Sequence, residues 1–169
     1  MGGDEGYFDP IRDALTPEHL QAIGYVAAAS SILESVMDEA IWHFADVSDQ
    51  VGKIITAQLG FTARLNMLRS LADAVITDAI FKDELDRIIK RLESVQAYRN
   101  DIVHARWRGA NERQTAVFEK ITARKKLTST LTSKTVAQIE EHAGYIDFVM
   151  RDLSLFVANQ VINRAFSQR

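Results

Sequence analysis

Two prolines in 169 residues leave almost nothing to break a helix, and apolar residues recur along most of this chain at steps of three and four. A chain with so few breakers and that period can bury its apolar stripes only by packing helix on helix. The length suits one domain with a sizeable core, here expected over residues 16–169 behind an irregular lead-in at 1–15. The expected fold class is all-α: an up-and-down helical bundle with a small basic β-hairpin or loop excursion before the last helix.

The helices can be placed by their caps and stripes. Thr16-Pro17-Glu18 is a helix start, with Thr as N-cap, Pro at the first helical position and an acid in the first turn. A long first helix is predicted to about Phe44, its stripe Leu33, Val36, Met37, Ala40, Ile41 and Phe44. Asp46 to Asp49 is a break with Asp49 as cap, followed by a short helix over about Gln50 to Leu59. Gly60 ends it. A further helix is predicted from Thr62 to Ile76, a turn at Thr77-Asp78, and a fourth helix from Phe81 or Lys82 to near Val103. Its stripe is Leu85, Ile88, Leu92, Val95 and Ile102.

Residues 106–131 lose the helical period. The segments 115–122 and 126–131 are rich in β-branched residues and partly alternate, which predicts a two-stranded excursion. Thr132 or Ser133 is then the expected cap of a last helix with Val136, Ile139, Ala143, Ile146, Met150, Leu153 and Val157 on one face. Tyr145, Phe148, Leu155 and Phe156 widen that surface beyond one stripe. So wide an apolar surface packs on two sides, and a partner subunit is one way to supply the second.

Composition excludes several chemistries. No cysteine is present, so there is no disulfide framework, thiolate metal site or Cys nucleophile. The four histidines, His19, His43, His104 and His142, show no His-x3-His or Glu-x-x-His pairing, so no metal is expected. Glu39 and His43 are four apart and read as a helix-surface pair. There is no Gly-x-Ser-x-Gly elbow and no phosphate loop. Trp42, Tyr98 and Trp107 are too scattered for a base-stacking platform, and Trp107 reads as a packing residue. No apolar run approaches the roughly 20 residues needed to span a bilayer. The polar, acidic start is not a secretory signal, so the expected location is cytoplasmic, away from membranes. Charge is unevenly spread. Residues 1–50 carry ten acids and one base, Arg12, whereas residues 105–134 carry eight bases and two acids. That basic block is either a solvated face or an anion-attracting flank, and Arg106, Arg108, Lys125 and Lys126 are its candidate RNA-binding residues.

The segment ahead of that block carries the candidate chemistry. In the fourth helix Arg99 occupies a position where the stripe asks for an apolar residue. A charge there must be paired, reach the rim, or meet a ligand. Glu34 and Asp38 of the first helix are candidate partners. At about 100° per residue, Arg99 and His104 stand about 140° apart on a straight helix, whereas Asn100 and His104 share a face. Asn100 could therefore hold the imidazole in one tautomer. Arg99 and His104 could meet if the helix ends or bends, or if they came from different chains.

Arg99-Asn100-x-x-x-His104 resembles the R-x4–6-H motif, with a polar residue directly after the Arg, of the HEPN (higher eukaryotes and prokaryotes nucleotide-binding) superfamily of helical domains. The similarity extends over the helix order from Thr16 onward; the excursion at 106–131 is not required by the motif. The resemblance implies a metal- and cofactor-independent endoribonuclease with Arg99, Asn100 and His104 as catalytic residues. It also implies a homodimer with a composite site at its interface, and a role as a toxin or defence effector with an antitoxin protein as further partner. The competing reading is a non-catalytic helical dimer that binds a protein or nucleotide, with Arg99 in an ion pair and His104 as a capping group.

Overall fold

A computed structural model of the chain describes residues 14–110, 115–122 and 128–167. The described residues are mostly helical, with five helices and a three-stranded sheet before the last of them. In order these are α1 (Pro17–Ala45), α2 (Asp49–Thr56), α3 (Phe61–Val75), α4 (Ala79–Val103), β1 (Arg106–Ala110), β2 (Thr115–Thr122), β3 (Thr128–Thr135) and α5 (Val136–Ser167).

Local chemistry sets the boundaries. At the start of α1 the Leu20 amide donates to the Thr16 carbonyl at 3.0 Å. Thr16 Oγ1 lies 3.5 Å from the His19 amide and 2.8 Å from His19 Nδ1. The helix ends in paired reverse bonds, Val47 N to Trp42 O and Asp46 N to His43 O, with Asp46 at φ 54°. That is the Schellman arrangement with Asp in the left-handed position. Ser48, not Asp49, precedes α2 as its N-cap, and Asp49 falls in the first turn. Asp78 does more than turn the chain: its Oδ1 accepts from the Ile80 amide at 2.8 Å, and α4 starts two or three residues earlier than expected.

The excursion has one strand more than the sequence reading. Arg106–Ala110 pairs antiparallel with β2, which pairs antiparallel with β3, giving the order β1-β2-β3. The strand was hidden because five residues with two arginines and a glycine carry little β signal. β3 also runs on through Thr132 and Ser133, so neither caps the last helix. Thr135 does. Its Oγ1 accepts from the Gln138 amide at 3.2 Å while Gln138 Oε1 accepts from the Thr135 amide at 3.0 Å, a capping box.

Two compact units are distinguished. The first holds residues up to Ala27 together with Arg99–Ala143. One face of its sheet is packed: the Trp107 and Phe118 rings lie 5.0 Å apart, and Leu15, Ala14 and Ala116 form a buried cluster joined by Ile23, Trp107 and Ala110. Trp107 is thus a packing residue.

The second unit holds residues 28–98 and 144–169. Leu33, Met37, Ile41, Leu68, Ile88, Leu92, Ile146 and Phe156 are among its fully buried side chains. Each such side chain contributes about 1.5–3 kcal/mol of transfer free energy. Arg64 ties the segments together. Its Nε and Nη2 donate to the Asp38 carboxylate at 2.7 and 3.1 Å, and Nη1 donates to Glu34 at 3.2 Å. Along α5 the buried positions are Ile139, Ala143, Ile146, Val149, Leu153 and Phe156. Val149 and Phe156 therefore take core places that the sequence stripe gave to Met150 and Val157. Phe148, Leu155 and Ile162 stay exposed.

Among the described residues α1 is long and apolar enough to cross a membrane by length and composition. Its best 18-residue window has a mean hydropathy of 1.3 and is 33% buried. A count of uninterrupted apolar runs misses this, because Ser30, Ser31 and Glu34 interrupt the run without lowering the mean far. A core helix of this length meets the same criterion, and Val26, Leu33, Met37, Ile41 and Phe44 are buried at helical spacing.

Candidate functional site

The Arg99–His104 segment lies at the junction of α4 and the sheet. Ile102, fully buried, anchors the last turn of α4. The His104 amide still donates to the Asn100 carbonyl at 3.3 Å, but the helix ends at Val103 and β1 begins at Arg106. His104 therefore leaves helical geometry, and the 140° separation of a straight helix no longer applies. Arg99 Nη1 and His104 Nε2 stand 2.8 Å apart within one chain.

A guanidinium has donors only. In this contact Arg99 must donate, so Nε2 supplies the lone pair and the ring proton sits on Nδ1. Arg99, rather than Asn100, thereby selects the imidazole tautomer. Asn100 instead orients the guanidinium: its Oδ1 accepts from Arg99 Nη1 at 3.2 Å. Asn100 and His104, which a straight helix would put on one face, do not form the expected side-chain pair.

Glu34 and Asp38, the acids considered for Arg99, hold Arg64 instead. Among the described residues Arg99 has no salt bridge, and its Nε is buried without a hydrogen-bond partner. Asn100 and His104 are exposed and Arg99 is half-buried. The cluster thus offers an uncompensated guanidinium and an imidazole lone pair at one accessible spot. That is the equipment for holding an oxyanion and moving a proton beside it.

The basic flank is arranged unequally around this spot. Arg106 is exposed on β1. Arg108 is engaged with Glu119 of β2 through both Nε and Nη2. Lys125 and Lys126 lie outside the described residues. Two further residues belong here that the sequence reading passed over. Lys120 Nζ of β2 pairs with the Asp101 carboxylate of α4 at 2.6 Å. Glu119, besides Arg108, accepts from Ser129 Oγ at 2.5 Å. The signal for Lys120 was present, since it alternates with Ala116 and Phe118 and so shares their strand face. The strand assignment alone could not say that this face meets the end of α4.

Comparison with protein-family models, curated proteins and solved structures gives no significant match to this chain.

Proposed function

We propose that Arg99, Asn100 and His104 form a metal-independent RNA-cleaving centre of the HEPN type, carried on a HEPN-like helical bundle. The observation that carries the proposal is the Arg99 Nη1–His104 Nε2 contact at 2.8 Å, made by an arginine without a carboxylate partner among the described residues. In the reaction the 2′-hydroxyl attacks the adjacent phosphorus. The bond from phosphorus to O2′ forms, the bond to O5′ breaks, one proton leaves the 2′-oxygen and one reaches the 5′-oxygen. An incoming phosphate draws the guanidinium away from the imidazole, which frees the Nε2 lone pair to take the 2′-proton. Arg99 then faces the charge that grows on the phosphorus oxygens, held in aim by Asn100. Arg106, Lys125 and Lys126 supply phosphate contacts to the RNA.

In this reading the molecule is a homodimer. The exposed Phe148, Leu155 and Ile162, seven residues apart on α5, offer a second copy an apolar stripe. The 2.8 Å contact removes the geometric need to draw Arg and His from different chains. A cytoplasmic toxin or defence effector, restrained by an antitoxin protein, is the cellular role that fits such an activity.

The test is purified protein with mixed RNA in EDTA. Arg99→Ala and His104→Ala should each lower the cleavage rate by about 10²–10⁴-fold with unchanged circular dichroism. Cleavage that survives either substitution overturns the assignment and leaves the non-catalytic binding module as the reading.

A further inference from the structure

The sheet of the first unit has a packed face and an open one, and the open face is unusual in its charge. Cross-strand neighbours share a face. Arg106 stands opposite Glu119, and Glu119 opposite Leu131, so these three project together. Between Trp107 and Gly109 the register shifts by a bulge. Arg108 is the residue left out of the register there, and its guanidinium reaches Glu119 as well, so two arginines serve one carboxylate.

Glu119 is held as an anionic ligand would be. Arg108 gives it two guanidinium donors, Ser129 gives a hydroxyl donor at 2.5 Å, and Arg106 adds its charge from the opposite register position. The Ser129 and Arg108 bonds keep its carboxyl below the usual carboxylate range, so it is ionised at neutral pH. Arg108, Val117, Glu119, Ser129 and Leu131 line an open depression of about 430 Å³. The face begins two residues after His104, at most about 7 Å of extended chain. Two guanidinium donors on one oxygen and a hydroxyl on the other are donors that a phosphate also takes.

Resting on the nuclease reading above, we propose that Glu119 is an internal stand-in for an RNA phosphate, and that the Arg106–Arg108–Ser129 face binds the RNA backbone when a phosphodiester displaces Glu119. The carboxylate thereby sets a threshold. Weak anions do not displace an intramolecular partner, whereas a strand that engages Arg99 at the same time presents its next phosphates at high local concentration. Glu119 thus suppresses non-productive binding along the basic flank.

The experiment uses a 2′-O-methyl RNA oligonucleotide, which lacks the attacking hydroxyl and stays intact. Its affinity is measured across a salt series for the unaltered chain, Glu119→Gln, Arg108→Gln and the double variant, with circular dichroism as the folding control. Glu119→Gln should bind several-fold tighter, with the slope of log affinity against log salt steeper by about 0.7 for one added phosphate contact on a single strand. The gain should vanish in the Arg108→Gln background. No gain, or an equal gain without Arg108, overturns the inference. A second readout needs no substitution: the Glu119 carboxyl carbon resonance of the unaltered chain should move on RNA saturation. A fixed resonance also overturns it. The two readings fail separately. Cleavage of ordinary RNA with no Glu119 effect sinks only this inference, and a Glu119 effect without cleavage sinks only the nuclease.

Discussion

In the free chain Arg99 Nη1 has two acceptors, Asn100 Oδ1 at 3.2 Å and His104 Nε2 at 2.8 Å. Neither carries a charge in that arrangement, so the guanidinium remains electrostatically unspent and a phosphate would improve on both. A different histidine, His142, resists protonation in the folded chain. His142 on α5 is partly buried, and burial together with the Lys134 charge pushes its pKa below 6.5, with Glu141 opposing. The unfolded chain takes up this proton as pH falls through about 6.5, while the folded chain resists it. The contribution of the neutral ring is therefore complete above pH 6.5 and declines below it. Thermal melts of His142→Gln across pH 5 to 8 should show a flatter acid limb than the unaltered protein. Parallel limbs would remove His142 as the cause.

At the scale of elements, the Lys120–Asp101 pair joins β2 to the last turn of α4. Both side chains are substantially solvent-exposed, so its effect on global stability is small, roughly 0.2–1 kcal/mol. Under the proposed nuclease reading its effect on the site is larger, because the end of α4 decides where His104 leaves the helix relative to Arg99. Lys120→Met should cut kcat about tenfold with little change in Tm, and Lys120→Arg should restore most of the rate. A loss confined to KM would make Lys120 a substrate contact rather than a brace. Element boundaries also show what was legible along the chain. Thr16-Pro17 and the stripe from Leu85 to Ile102 gave α1 and α4 directly. Asp78 and Thr135 act as caps through bonds to Ile80 and Gln138, and each competed in sequence with equally plausible neighbours. β1 had no such marker and is defined by its pairing with β2.

For the whole molecule, the proposed dimer places the exposed side of α5 against a second copy. Phe148 is 44%, Leu155 66% and Ile162 51% exposed. Phe148 already stacks with Tyr145, and the Arg91 guanidinium lies 5.2 Å from its ring centre. Leu155 is the more exposed of the three and the better place to test. Light scattering at micromolar concentration should give twice the chain mass for the unaltered protein and a monomer for Leu155→Glu. A strict monomer before substitution would end the dimer part of the reading while leaving the Arg99–His104 centre of one chain untouched.

The sequence by itself determined the helical class, the order of the five helices, and the segment in which a charge stands on an apolar seam. These depend on period, caps and breakers, which are local. It also marked Arg106 and Arg108 as a flank, because charge density is a count along the chain. Tertiary structure decided what those charges do. Glu34 and Asp38 went to Arg64, Arg108 went to Glu119, and Lys120 went to Asp101, since partner choice depends on which elements meet. It also decided the geometry of the candidate site. A straight helix holds Arg99 and His104 apart, and they meet at 2.8 Å because α4 stops at Val103 and the chain turns into a strand.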